Sequence, residues 1–281
     1  MRKSIVLSMA MVLCVLALLL FGLAPESVNV VSPPGPAVLI VQDDTGAFLL
    51  QVKQGAQQAA SEVGCALGQE TVTKDTLTET VTRWEQRGAS AALLLIEDAN
   101  LREETATAFE TSGIHVVVLR DQRANGAYVA MDERQVGALL AEFAQNYGMV
   151  YLLGEAPQRL EGVMDVLTPT QAILSATPAP EEQGCMIALT EEETHRLAIL
   201  RASGEVTAPL AGMDPGASRV AWMADGIVDA LAMDTPYAMG YTALKMALAG
   251  ERKACLLPYR LVVKQEMYTA QNVKLMFPLL H

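Results

Sequence analysis

Met223-Ala-Asp-Gly-Ile-Val-Asp-Ala-Leu-Ala-Met-Asp-Thr-Pro-Tyr-Ala-Met-Gly240, running on to Ala249-Gly250-Glu251 and then Leu256-Leu-Pro-Tyr-Arg-Leu-Val-Val-Lys-Gln-Glu266, is the stretch that decides the fold. Ile227 to Ala232 reads as a short apolar strand. Thr235-Pro236 is a cap followed by proline at the first helical position, where its missing N–H is no loss. Tyr241, Leu244 and Leu248 recur at helical spacing, and Gly250 sits where a helix stops. Tyr259 to Val263 closes the segment as a second strand. The reading is strand, helix, strand.

Working outward, the same alternation fills the body. Val38 to Val41 is a continuous apolar strand, and Leu49, Val52, Ala56, Ala59 and Val63 mark one face of a following helix. Leu77, Val81 and Trp84 mark a second helix before the strand Ala91 to Ile96. Ala106 and Phe109 lie on a third, before His115 to Leu119. In the second half, Val136, Leu139, Leu140 and Phe143 face one way ahead of strand Met149 to Leu153, helix Gln158 to Val166 and strand Gln171 to Ser175. Strand Cys185 to Leu189, helix Glu191 to Ala202 and strand Thr207 to Ala211 follow. Uniformly apolar strands alternating with helices belong to parallel sheets covered on both faces, an α/β pattern. Only Ala176 to Gly184, nine residues with two prolines, separates two of these strands. A parallel crossover ordinarily needs a dozen residues or more and a helix, so the second half is expected to have lost one.

Ile5 to Ala24 carries no charged side chain, and twenty residues suffice to span roughly 30 Å of hydrocarbon. A cleaved signal peptide has a shorter apolar core, and Pro25 directly follows the best small-residue cut site. The expectation is an uncleaved signal anchor over 1–24, with Arg2 and Lys3 holding the N-terminus inside. Cys14, within the run, reads as a buried apolar residue. Residues 25–37, with several prolines, form a linker.

Beyond the anchor the chain carries 18 basic against 32 acidic residues, which argues against nucleic acid and anionic membrane surfaces as partners. Cys65, Cys185 and Cys255 are far apart with no CxxC, so neither a disulfide framework nor a zinc site is expected. No HExxH, GxSxG or phosphate loop occurs. The chain is read as no enzyme, with no cofactor and no metal.

Several further segments carry a resemblance. Val38-Leu-Ile-Val-Gln-Asp-Asp-Thr-Gly-Ala-Phe-Leu-Leu-Gln-Val-Lys-Gln-Gly-Ala-Gln57, Gly113-Ile-His-Val-Val-Val-Leu-Arg-Asp121, Tyr128-Val-Ala-Met-Asp132 with Gly137, Arg159-Leu-Glu-Gly162 and Gly212-Met-Asp214 occur in that order. Together with the C-terminal strand–helix–strand, they resemble the ribose- and galactose-type solute-binding proteins of ABC importers over most of residues 38–266. The resemblance implies two Rossmann-like lobes with parallel sheets joined by a three-crossing hinge and preceded by the N-terminal transmembrane helix. The first lobe is 38–131 with 235–260, and the second is 132–234 with 261–281.

It further implies a ligand cleft bordered by Asp43, Phe48, Arg120, Asp121, Arg159, Thr190, Asp214 and Asp234. Carboxylates and guanidiniums suit a polyol, because they give charge-assisted hydrogen bonds to hydroxyls that both donate and accept. Here the paired Asp and Arg after the strand His115 to Leu119 come in reverse order, Arg120 then Asp121. Phe48-Leu49 replaces two aromatics, and Thr190-Glu191 replaces an Asn-Asp pair.

Local readings stand beside these. Thr190-x-x-Glu193 is a capping box, Asp43 and Asp214 suit turns, Arg120 and Asp121 can pair with each other, and Arg159 can sit on a solvated helix face. His195, with no second histidine, and Trp84 and Trp222 read as structural. Two functions follow. One is a membrane-tethered extracytoplasmic receptor for a small polar ligand, a sugar first, serving an ABC permease or membrane sensor. The other is an extracytoplasmic protein-interaction module on the same fold with its cleft unused.

Overall fold

A computed structural model describes residues 34–42, 46–121, 126–177, 184–214, 216–269 and 272–273. The expected anchor and most of the linker lie outside them, as does Asp43. No helix among the described residues is long and apolar enough to cross a membrane.

The first sheet is laid down as β1 (Ala37–Val41), α1 (Ala47–Val63), β2 (Leu67–Thr71), α2 (Leu77–Gln86), β3 (Ala91–Leu95), α3 (Ala99–Thr111), β4 (His115–Leu119) and β5 (Ala127–Met131). The chain then builds a second sheet from α4 (Glu133–Ala144), β6 (Met149–Leu153), α5 (Pro157–Val166), β7 (Ala172–Leu174), β8 (Gly184–Ala188), α6 (Glu191–Ala202), β9 (Leu210–Met213), α7 (Arg219–Asp225) and β10 (Ala230–Met233). It closes with α8 (Pro236–Leu248), β11 (Ala254–Leu257) and β12 (Arg260–Val263). Strand order is β11-β5-β4-β3-β1-β2 in one sheet and β12-β10-β9-β8-β6-β7 in the other. Every pairing is parallel except β10 with β12.

The strands are where uniform apolarity put them because both faces are covered. All five residues of β1 are fully buried, with Leu39 opposite Gln69 on one side and Leu93 on the other. Two apolar clusters flank each sheet, and each fully buried Leu, Ile or Phe contributes roughly 1.5–3 kcal/mol.

The segment that decides the fold needs amendment. Its first strand starts three residues later than expected, at Ala230. Gly226, at φ 73, stops α7, and the N–H groups of Ile227 and Val228 both return to the Trp222 carbonyl. After α8 there are two strands, not one. β11 joins the first sheet and β12 the second, and Pro258, which cannot donate to a ladder, falls between them. The strand expected at Thr207 to Ala211 begins at Leu210, after Pro209.

The chain thus passes between sheets three times: after β5, after β10 and between β11 and β12. Each sheet also owns one pair of closely packed helices. A methyl added at Gly55 of α1 would lie 1.9 Å from the Tyr237 carbonyl oxygen of α8, and one at Gly137 of α4 would lie 1.9 Å from the Arg159 carbonyl oxygen of α5. Glycine lets these backbones touch, and the second contact places the Arg159 turn.

Candidate functional site

Lobe one presents Arg120 immediately after β4, in the left-handed region at φ 71, which non-glycine residues seldom adopt. Its N–H donates to the Val129 carbonyl at 2.9 Å. Its guanidinium lies 4.9 Å from the centre of the Phe48 ring and 3.9 Å from a Glu97 carboxylate oxygen. Phe48 itself packs on the lobe-one core. Asp121 does not pair with Arg120. It is held at 2.7 Å by Arg102, a buried arginine of α3 that also donates to the carbonyls of Ile96 (3.0 Å) and Glu97 (3.3 Å).

Lobe two and the connecting segments present the rest. Asp132 caps α4, accepting from the Gln135 N–H at 3.0 Å, and so sets Glu133 in its first turn. Glu133 binds the Arg159 Nε with one carboxylate oxygen and accepts the Tyr259 hydroxyl at 2.9 Å with the other. Arg159 also donates to the Leu189 carbonyl at 2.6 Å. Burial opposes the charge on Arg159, but the Glu133 carboxylate outweighs it and holds the pKa above the ordinary arginine value. Burial, then the Glu133 charge, pushes the Tyr259 phenol up.

Asp214, just past β9, accepts the Gly216 N–H at 2.9 Å and pairs with Arg219. Burial raises its pKa against the pull of Arg219. Asp234, just past β10, is pushed up to about 6, first by burial and then by the Asp214 charge, with Arg120 opposing.

These groups meet at one cavity of about 100 Å³. Arg120 and Met131 line it from lobe one. Glu133, Arg159, Glu191, Met213, Asp214, Ala232 and Asp234 line it from lobe two, and Tyr259 from the last crossing. It sits beyond the carboxyl ends of β4, β9 and β10, where open α/β sheets hold ligands. Four carboxylates and two guanidiniums share it.

Of the expected residues, Arg120, Arg159, Asp214 and Asp234 therefore come together. Phe48 stands behind Arg120. Asp121 lines a neighbouring cavity of about 300 Å³ on lobe one instead. The Thr190 hydroxyl caps α6, accepting the Glu193 N–H at 3.1 Å, and the next residue, Glu191, faces the cavity. Sequence reasoning missed Glu133, Arg219 and Tyr259, and of the pair Thr190-Glu191 it put forward Thr190 rather than Glu191. Glu133 and Glu191 both carried a local signal, as acids that directly follow a helix cap. His195 packs against the Trp222 ring at 5.0 Å. Cys65, Cys185 and Cys255 are free thiols, and burial pushes Cys185 up to about 12.

A larger cavity, about 680 Å³, lies on lobe two alone, beside Leu152, Leu160 and Leu174. Ser175 and Ala176 also line it. It gathers no charged groups from lobe one.

No protein family model and no curated protein sequence matches the chain. Solved structures do. A periplasmic ribose ABC transporter protein from Conexibacter woesei superposes with a TM-score of 0.70 at 14% identity, covering 87% of this chain and 99% of that one. XylFII, in a substituted complex with LytSN, gives 0.68 at 16%, covering 83% and 99%. A solute-binding protein from Bacillus halodurans with bound myo-inositol gives 0.60 at 17%, covering 86% and 99%. The chain has the two-lobed type 1 periplasmic-binding fold.

Proposed function

We propose that the chain is an extracytoplasmic solute-binding protein whose cleft takes a small polar ligand, a sugar or polyol first. It is tethered through residues 5–24 and serves an ABC importer or a membrane sensor. The observation that carries this reading is the convergence of Arg120 from lobe one with Arg159, Asp214 and Asp234 from lobe two on one cavity at the strand ends. Oriented carboxylates and guanidiniums are the groups that discriminate hydroxyl patterns. The ribose and myo-inositol named for similar structures are ligands of that kind. The crossings near residues 132, 235 and 261 act as the hinge on which the lobes close.

One observation favours the second reading, an interaction module with an unused cleft. The cavity, about 100 Å³, falls below the roughly 300 Å³ at which ligand pockets begin. Arg159 and Asp214 are already engaged by Glu133 and Arg219. On the receptor reading these pairs open and exchange partners when the lobes part.

A thermal-shift screen of neutral pentoses, hexoses and cyclitols separates the two. A ligand at a hundred times its dissociation constant adds about 2.7 kcal/mol, which raises the midpoint by roughly 5–10 °C for a body of this size. A flat response across the whole panel moves the assignment to the interaction module.

A further inference from the structure

The charges around the cavity do not cancel. Arg159 is taken by Glu133 and the Leu189 carbonyl, and Asp214 by Arg219 and the Gly216 N–H. Two carboxylates remain, Asp234 and Glu191, and among the described residues neither has a hydrogen bond or ion pair. The one guanidinium left over on the cavity wall, Arg120, is stacked on Phe48 and close to Glu97, and offsets the Asp234 charge only in part. The lobe-two wall therefore presents two carboxylates, half-buried Asp234 and exposed Glu191, against the single guanidinium of Arg120. A desolvated carboxylate is costly unless a cation or a proton meets it.

Three kinds of cation can be weighed. A bare divalent metal wants a shell of oxygens, and Arg120 and Arg159 stand in the same wall. An amino acid would bring a further carboxylate to a cavity that already holds four and has no unengaged arginine on lobe two. A single ammonium on a hydroxylated frame has neither fault. Its charge meets Asp234 and Glu191, and its hydroxyls meet Tyr259, Asp214 and Arg159.

Building on the solute-receptor reading above, we propose that the cleft selects an aminated polyol, an amino sugar or amino alcohol, whose ammonium group sits between Asp234 and Glu191. A neutral sugar of the same shape leaves those two carboxylates unpaired.

Isothermal titration of the purified chain near pH 7 with two matched pairs tests this: serinol against glycerol, and D-glucosamine against D-glucose. The amine of each pair is expected to bind at least about tenfold more tightly than its neutral partner, the margin of a charge-assisted over a neutral hydrogen bond. Asp234→Asn should bring the amine down to the affinity of the neutral compound. Glu191→Gln gives the same readout at a residue on a helix surface, so a folding defect in the first variant leaves the question answerable. Equal or tighter binding of the neutral compounds overturns the amine assignment and leaves the solute receptor standing. Failure of both pairs, with a flat response to the neutral panel, removes the receptor reading and this inference together.

Discussion

The two lobes share a strand order and a glycine-mediated helix pair, but they cover their sheets differently. In lobe one, α2 lies between β2 and β3. Its Trp84 ring rests on the strand glycine Gly68, where an added methyl would come within 2.2 Å of the ring, and its indole N–H donates to Glu70 at 2.7 Å. In lobe two, nine residues join β7 to β8, and the described residues hold no counterpart of α2. There the strand glycine is Gly184, and the ring beside it is Tyr151 from the neighbouring strand, 2.9 Å from an added methyl. The difference teaches where a lobe of this fold can be trimmed. The charged wall of the cavity comes from the carboxyl ends of β9 and β10 and from the first turns of α4, α5 and α6. Among the described residues none of it comes from the connection between β7 and β8.

The comparison breaks most visibly at the two rings. Trp84→Ala empties a buried, hydrogen-bonded site under a helix and should cost about 3–5 kcal/mol. Tyr151→Ala removes a half-buried ring at the margin of a lobe-two core cluster and should cost roughly 1–2 kcal/mol. Urea unfolding of both variants gives the ratio. Equal costs would mean that lobe two's face is covered by something the strand–helix comparison misses.

A smaller effect distinguishes the lobes at the cavity. The folded pKa of Asp234, about 6, lies above an unfolded value near 3.9. The folded form thus binds the extra proton between those values, and stability falls as pH rises through that window. The penalty is complete above pH 6 and absent below about pH 4. Burial is the largest cause, followed by Asp214, with Glu191 adding and Arg120 and Arg219 opposing. Asp234→Asn should therefore stabilise the ligand-free chain by on the order of 2 kcal/mol near pH 8 and by nothing near pH 4. Denaturant midpoints across that range read it directly. A destabilised variant at pH 8 would show that the carboxylate is satisfied in the fold rather than held ready for a ligand.

Most of the architecture was legible because burial on both faces demands unbroken apolar runs, and because Asp132, Thr190 and Thr235-Pro236 announce helix starts. β2 escaped because Leu-Gly-Gln-Glu-Thr is an edge strand, half exposed, with no apolar run. β11 escaped because four half-exposed residues between a helix stop and Pro258 carry no period of their own. At the site, Arg120, Arg159, Asp214 and Asp234 were found through order along the chain. Their partners were not. Glu133 and Tyr259 lie 126 residues apart in sequence, and Arg102 reaches Asp121 beyond β4 from the preceding helix α3, so no local pattern records either contact. Thr190 illustrates the opposite error, a residue whose local role as a cap was complete in itself.

The central claim is that charged groups from both lobes meet in one ligand cleft. The most direct test is calorimetric titration of the strongest ligand found by screening into the wild-type chain and into Arg159→Ala. Loss of a buried charged partner costs about 2–5 kcal/mol, so affinity should fall at least about thirtyfold while circular dichroism stays native. A ligand that binds Arg159→Ala as tightly as the wild type would place binding elsewhere and contradict the account.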